Sequence, residues 1–188
     1  MSKAFSEGVG EGGLHNTEDI KILVMYILKT ANVPLSLKSI TNVTEGSRLA
    51  NYFEVTNAVS TLTTDGLISL GDDMYSLTNK GEDTIEQLKT MLSYYVLEEA
   101  KRAVSKEVIM ARRIKENDVN IVSENGGYMV HISIKEQDKE IMGFNIHVGT
   151  LSDAELVKNR FYENPMALYQ SNVNMLLGYK FNCDEGDQ

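Results

Sequence analysis

Over residues 20–28 the apolar positions Ile20, Leu23, Val24, Ile27 and Leu28 recur at three- and four-residue spacing, which places them on one stripe of a helix. Thr17 is the expected N-cap, with Glu18 and Asp19 favouring the positive helix end. Asn32-Val33-Pro34 is the expected stop, because the residue before a proline avoids the helical region. Ser36 is placed to cap a short second helix with Leu37, Ile40 and Val43 inward, and Glu45-Gly46-Ser47 reads as a turn. Asn51 opens a third helix, Glu54 completes a box-like cap, and Val55, Ala58, Val59 and Leu62 form the inner stripe up to Asp65-Gly66. The period then drops to two. Residues 67–70 and 74–77 read as strands flanking Gly71-Asp72-Asp73, a tight hairpin. Thr78 caps a fourth helix whose inner stripe is Ile85, Leu88 and Leu92.

In the second half, residues 94–106 carry Leu97, Ala100 and Val104 at helical spacing. Residues 107–117 fit two states, and the local pattern alone continues the helix through Val108, Ala111 and Ile114. Glu124-Asn125-Gly126-Gly127 is a two-residue hairpin signal, since Asn-Gly tolerates positive φ at both central positions. Closing that turn sets Ile121 opposite Val130 and Val119 opposite Ile132, so register and apolar pattern agree. After a turn over 136–140, Met142, Phe144, Ile146 and Val148 share a face of a third strand, giving an antiparallel meander. Ser152-Asp153-Ala154-Glu155 reads as a capping box, and Asn164-Pro165 splits the helix that follows. Its second segment is expected to turn Met166, Tyr169, Val173 and Leu176 or Leu177 inward. The glycine-rich run 6–13 has no periodicity and reads as a flexible lead.

Three helices followed by a hairpin is the order of a winged helix. The expected class is α+β, an N-terminal winged helix followed by a C-terminal antiparallel β-meander with helices. The expected division is a lead over 1–16, a winged helix over 17–92, a dimerising or sensing half over 93–182 and an acidic tail over 183–188. Gly66-Leu67-Ile68 after the third helix and Leu77-Thr78-Asn79-Lys80-Gly81 after the hairpin resemble features of bacterial winged-helix regulators. With Asn51-Tyr52-Phe53, Asn125-Gly126-Gly127-Tyr128 and Val130-His131, the chain from Ile20 to Leu177 resembles an uncharacterised bacterial family of winged-helix transcriptional regulators with a C-terminal sheet-and-helix half. The resemblance implies that fold and a helix-turn-helix type of DNA binding. It also implies a strand within 107–117, which we favour for the latter part.

Composition narrows the function. The charge is −9, from 18 basic and 27 acidic residues. It is spread along the chain, so there is no basic domain, and DNA affinity, which rests on phosphate neutralisation, starts at a disadvantage. A single cysteine, Cys183, excludes an internal disulfide and a Cys-based zinc site. No apolar stretch approaches the ~20 residues that span a bilayer, and the N-terminus lacks a secretory pattern, so the cytosol is expected.

On the third helix the inward stripe leaves Phe53, Asn57, Ser60, Thr61 and Thr64 outward. Asn57 has the chemistry to pair with an adenine edge, and the hydroxyls to meet phosphates. That helix has no Lys or Arg, and the hairpin tip is Asp72-Asp73. Only Lys38, Arg48 and Lys80 lie where cations would reach DNA. The expected contact set is therefore Lys38, Arg48, Tyr52, Phe53, Asn57, Ser60, Thr61 and Lys80, serving double-stranded DNA or, alternatively, a protein partner docked on Phe53. The basic residues Lys101, Arg102, Lys106, Arg112, Arg113 and Lys115 alternate with glutamates and read as a solvated helix face. His131, His147 and Asn145 fall on the polar face of the meander and form a possible ligand face, with no ligand set for a metal. No phosphate loop or nucleophile motif is present, so neither an enzyme nor a cofactor is expected. The aromatic excess over 94–104 points to a homodimer.

Overall fold

The first helix, α1 (Thr17–Ala31), begins one residue earlier than its acidic first turn suggests. Asn16, rather than Thr17, is the N-cap, and its side chain accepts from the Glu18 N–H at 3.1 Å. At the other end Asn32 takes the left-handed conformation, φ 53°. The computed structural model describes residues 8–124 and 126–179. Helix α1 buries Ile20, Ile22, Leu23, Val24, Met25, Ile27 and Leu28, more than one stripe, because it is surrounded by other elements.

A two-residue strand β1 (Leu35–Ser36) leads into α2 (Leu37–Gly46), capped by Ser36. Helix α3 (Tyr52–Thr64) is capped by Asn51, which accepts from the Glu54 N–H at 3.0 Å, and buries Val55, Ala58, Val59 and Leu62 as the pattern requires. Strands β2 (Ile68–Gly71) and β3 (Met74–Leu77) pair antiparallel, and β1 adds to β3, giving the order β1-β3-β2. Asp72 and Asp73 both have positive φ, 51° and 59°, the two-residue primed turn that matches strand twist. Thr78 caps α4 (Asn79–Leu88), and a short 3-10 turn over Lys89–Met91 precedes α5 (Tyr94–Glu116). Gly81 is buried where a Cβ would meet the Leu67 carbonyl, so glycine there permits a close backbone approach.

The expected strand within 107–117 does not form. Helix α5 continues to Glu116, through a run of strong helix formers and an Arg112–Glu116 ion pair at 2.6 Å. Asn117, only 5% exposed, ends it: its side-chain amide donates to the Arg113 carbonyl at 2.9 Å and its Oδ1 accepts from the Lys135 N–H. Strands β4 (Asp118–Glu124), β5 (Gly127–Glu136) and β6 (Lys139–Val148) follow in the order β4-β5-β6. The register is the expected one, Ile121 opposite Val130, Val119 opposite Ile132 and Glu124 opposite Gly127. Asn125 lies outside the described residues, and Gly126 has φ 91°. The second turn, Gln137-Asp138, is another positive-φ pair, and a register shift lies close to it at Ile134/Lys135.

Helix α6 (Leu151–Glu163) is capped by Thr150, whose hydroxyl oxygen accepts from the Asp153 N–H, two residues before the expected Ser152 box. Helix α7 (Pro165–Leu176) starts at Pro165, as expected, with Asn164 as its cap. Its inner contacts match the expected stripe only in part. Tyr169 packs against the second core as expected and Leu168 joins it, whereas Met166, Leu176 and Leu177 are exposed.

The molecule is a mixed helix-and-sheet protein with two antiparallel three-stranded sheets, dividing into two compact units after Val108. The first core joins α1, α2, α3, Ile68, Ile85 and the Val96, Ala100 and Val104 positions of α5. The second is built on Val130, Ile132, Ile134, Ala154, Phe161 and Tyr162. Cys183 and the acidic tail lie outside the described residues. Among the described residues no helix is long and apolar enough to cross a membrane.

Candidate nucleic-acid interface

The inward stripe of α3 fixes its outward face by helical phase. Phe53, Asn57, Ser60 and Thr64 are exposed and Thr61 is half-buried between them. Phe53 is 71% exposed and stands edge-on to Tyr52, ring centroids 5.7 Å apart, at the start of the helix. A groove of about 310 Å³ runs beside this face, lined by Leu37, Thr56, Val59, Ser60, Thr63, Thr64 and Tyr75. Ser60 and Thr64 thus belong to both face and groove.

The threonine hydroxyls are not free donors. Thr56, Thr61, Thr63 and Thr64 donate to the carbonyls of Tyr52, Asn57, Val59 and Ser60, at 2.8, 2.9, 2.8 and 3.1 Å. Each hydroxyl proton is held by the turn before it, so these side chains offer lone pairs and methyl groups. Asn57 and Ser60 have no side-chain partner among the described residues and keep their donors. The run of threonines within a helix is the sequence signal of this back-bonding, and arguments from spacing pass over it.

The three cations differ. Lys80 donates to the Asp65 carbonyl at 2.9 Å, at the negative end of α3. Lys38 on the first turn of α2 and Arg48 before α3 are exposed, and neither is in an ion pair among the described residues. Arg48 has φ 56°. Asp72 and Asp73 form the exposed tip between β2 and β3. The surface therefore has free cations before α3 and on α2, a neutral polar middle on α3, and an anionic hairpin tip.

One element of this region departs from the sequence-based expectation. The second part of the expected flexible lead is held against the connection from α2 to α3: the Gly10 N–H donates to the Arg48 carbonyl and the Leu14 N–H to the Leu49 carbonyl, both at 2.8 Å. Leu14 packs against the first core. Four glycines within 8–13, just before an apolar residue, are the available signal of close backbone approach.

The remaining candidates lie in the second unit. His131 Nδ1 and Asn145 Oδ1 are 2.7 Å apart on the outer face of the sheet. His147 sits opposite Met129, so it shares that face with His131. A shallow depression of about 370 Å³ there is lined by Asp118, Asn120, His131, Ser133, Glu140 and Asn145 among others, and His147 is not part of it. Among the described residues no group of three or more His, Cys, Asp or Glu could hold a metal ion. On α5, Arg102 pairs with Glu99 and Arg112 with Glu116. Arg113 instead donates to the carbonyls of Tyr162 and Glu163 that end α6.

No curated protein and no solved structure matches the chain. The family model described as a domain of unknown function (DUF4364) matches residues 20–176, which take in α3, both sheets and all of α7, and the chain belongs to that family.

Proposed function

We propose that the first unit is a winged helix and that the protein is a DNA-binding transcription regulator, with α3 as its reading helix and β2–β3 as its wing. The observation that carries this reading is the sheet order β1-β3-β2. The strand before α2 closes on the hairpin after α3, so α2 and α3 form a helix-turn-helix bracketed by one small sheet. The outward face of α3 is then the polar surface such a module offers to a major groove. Asn57 supplies the base-reading amide, and Arg48 and Lys38 supply phosphate contacts. So few cations imply a shallow salt dependence and weak affinity for each copy. A homodimer, joined through the exposed Met91, Tyr94 and Tyr95, would double them. Sedimentation of the purified chain tests that association.

The deciding experiment is retention of genomic duplex fragments by the purified protein at about 50 mM salt and again at physiological salt. Asn57→Ala should reduce preference among sequences, while Arg48→Ala should weaken all binding. Asp72→Lys with Asp73→Lys should strengthen non-specific binding. If the wild type retains no duplex at the lower salt, the DNA reading fails.

A second reading rests on the exposure of Phe53 beside Tyr52. If the same face docks a protein, Phe53→Ala should cost most, because aromatic anchors dominate such interfaces. The wing aspartates should then matter little.

A further inference from the structure

Helix α2 ends in a motif whose usual occupant is glycine. The Leu49 N–H donates to the Thr44 carbonyl at 2.9 Å and the Arg48 N–H to the Glu45 carbonyl at 3.0 Å, the paired bonds of a Schellman ending. The residue that must turn left-handed in this motif is Arg48, φ 56°. A long side chain in that conformation is a cost that glycine would remove. Its guanidinium caps no helix and forms no ion pair among the described residues, so the local structure gains nothing visible from it.

The glycine run 8–13 lies on this residue. Gly10 donates to the Arg48 carbonyl at 2.8 Å, and a Cβ on Gly10 would stand 3.3 Å from Arg48 Cβ and 3.9 Å from its Cδ. The backbone of Gly10 therefore lies along the aliphatic stem of the arginine. Gly13 has no room either, since its Cβ would come within 2.9 Å of the Arg48 carbonyl oxygen and 3.1 Å of that of Leu49. Gly12, φ 84°, faces the Tyr95 ring, where a Cβ would stand 2.9 Å from Cε1. Leu14 then anchors the strap in the core.

We propose that residues 8–14 are a positioning strap for Arg48, holding its stem so that the guanidinium is presented to a phosphate beside the start of α3. The proposal rests on the DNA reading above. The arginine accepts an unfavourable backbone because the strap and the Schellman bonds fix it there. An arginine held at the stem loses less rotamer freedom when it meets a phosphate. Gly10, which carries no positive φ, is a positioning residue acting through Arg48.

The test is a double-mutant cycle on the full chain, with Gly10→Val, Arg48→Ala and the double variant, and with Gly10→Ala as the milder form. Duplex affinity is measured over a range of salt, and thermal unfolding checks that each variant is folded. Arg48→Ala should flatten the slope of log K against log salt by about 0.9, one phosphate contact. Gly10→Val should produce most of that flattening, Gly10→Ala a smaller part, and the double variant no more than Arg48→Ala alone. Independent, additive effects, or a Gly10→Ala and Gly10→Val slope equal to wild type, would overturn the strap while leaving DNA binding in place. An unchanged slope in Arg48→Ala would overturn it too. A wild type that binds no duplex would remove both this proposal and the reading beneath it.

Discussion

Helices α2 and α3 end in the same way and with different residues. Both close with paired bonds from the two residues after the cap: Leu49 to Thr44 and Arg48 to Glu45 in α2, Leu67 to Leu62 and Gly66 to Thr63 in α3. In α3 the left-handed position is Gly66, φ 68°; in α2 it is Arg48, φ 56°. A glycine there satisfies the backbone at no steric cost. An arginine satisfies it against its own preference, so its side chain has to be accounted for elsewhere. The comparison separates a residue chosen for the chain's path from one whose side chain reaches beyond it.

Substitutions at positive-φ positions can break this contrast. The largest effect should come from Gly126→Val in the first hairpin of the second sheet. Gly126 has φ 91°, and a Cβ placed there would meet nothing within 4 Å, so the cost is conformational alone. A β-branched residue at that angle should lose about 1–3 kcal/mol, read by thermal or urea unfolding. An unchanged midpoint would mean the turn is not held as described. Next is Gly66→Arg, which makes the end of α3 resemble that of α2. Space around Gly66 is also open, and the expected loss is about 1–2 kcal/mol. If the loss is absent, an arginine is tolerated at such an ending without support and the contrast disappears.

The reverse exchange, Arg48→Gly, should stabilise the chain by up to about 1 kcal/mol while weakening duplex retention. Stability and binding moving in opposite directions is the sharpest form of the comparison. Smallest should be an electrostatic change in the same unit. Glu86 lies between Lys29 and Lys89, each at 2.5 Å, and hydrogen bonds from these lysines, Lys29 first, lower its pKa from 4.5 to about 2. A carboxylate with a lowered folded pKa contributes stability above its unfolded pKa and loses it as pH falls. The difference in melting temperature between wild type and Glu86→Gln should therefore be present at neutral pH and shrink as pH falls from 4.5 towards 2. It should be slight, since the pair is solvent-exposed.

Local rules make much of the fold legible. Asn51 with Glu54, Thr78, Asn164-Pro165 and the stripe of α3 can be assigned because each depends on neighbours within a few residues. The meander register is legible for a related reason: turn length and apolar alternation point to one pairing, Ile121 with Val130. The candidate face on α3 follows from the inner stripe by helical phase. Over residues 107–117 the local pattern favours a helix while the family resemblance favours a strand, and the helix of the local pattern forms, up to Glu116. On α7 the pattern places Tyr169 inward correctly but not Met166 or Leu176, since spacing names the apolar positions of a helix and only the packing decides which of them are covered.

By itself the sequence determined the elements whose signals are periodic or capped, their order, and the unusual lack of cations on α3. Tertiary structure decided what depends on partners far along the chain. Leu35 and Ser36 are too short a run to show alternation, and they become a strand only by pairing with Tyr75 and Met74. The glycines of 8–13 carry no side chains to form a pattern, and they become a strap only because Arg48, Leu49 and Tyr95 are there to receive them. Hydrogen bonds between distant backbones and the close approach of a glycine to a ring leave no periodic trace in a sequence, since both ends of each contact must be placed before the contact exists.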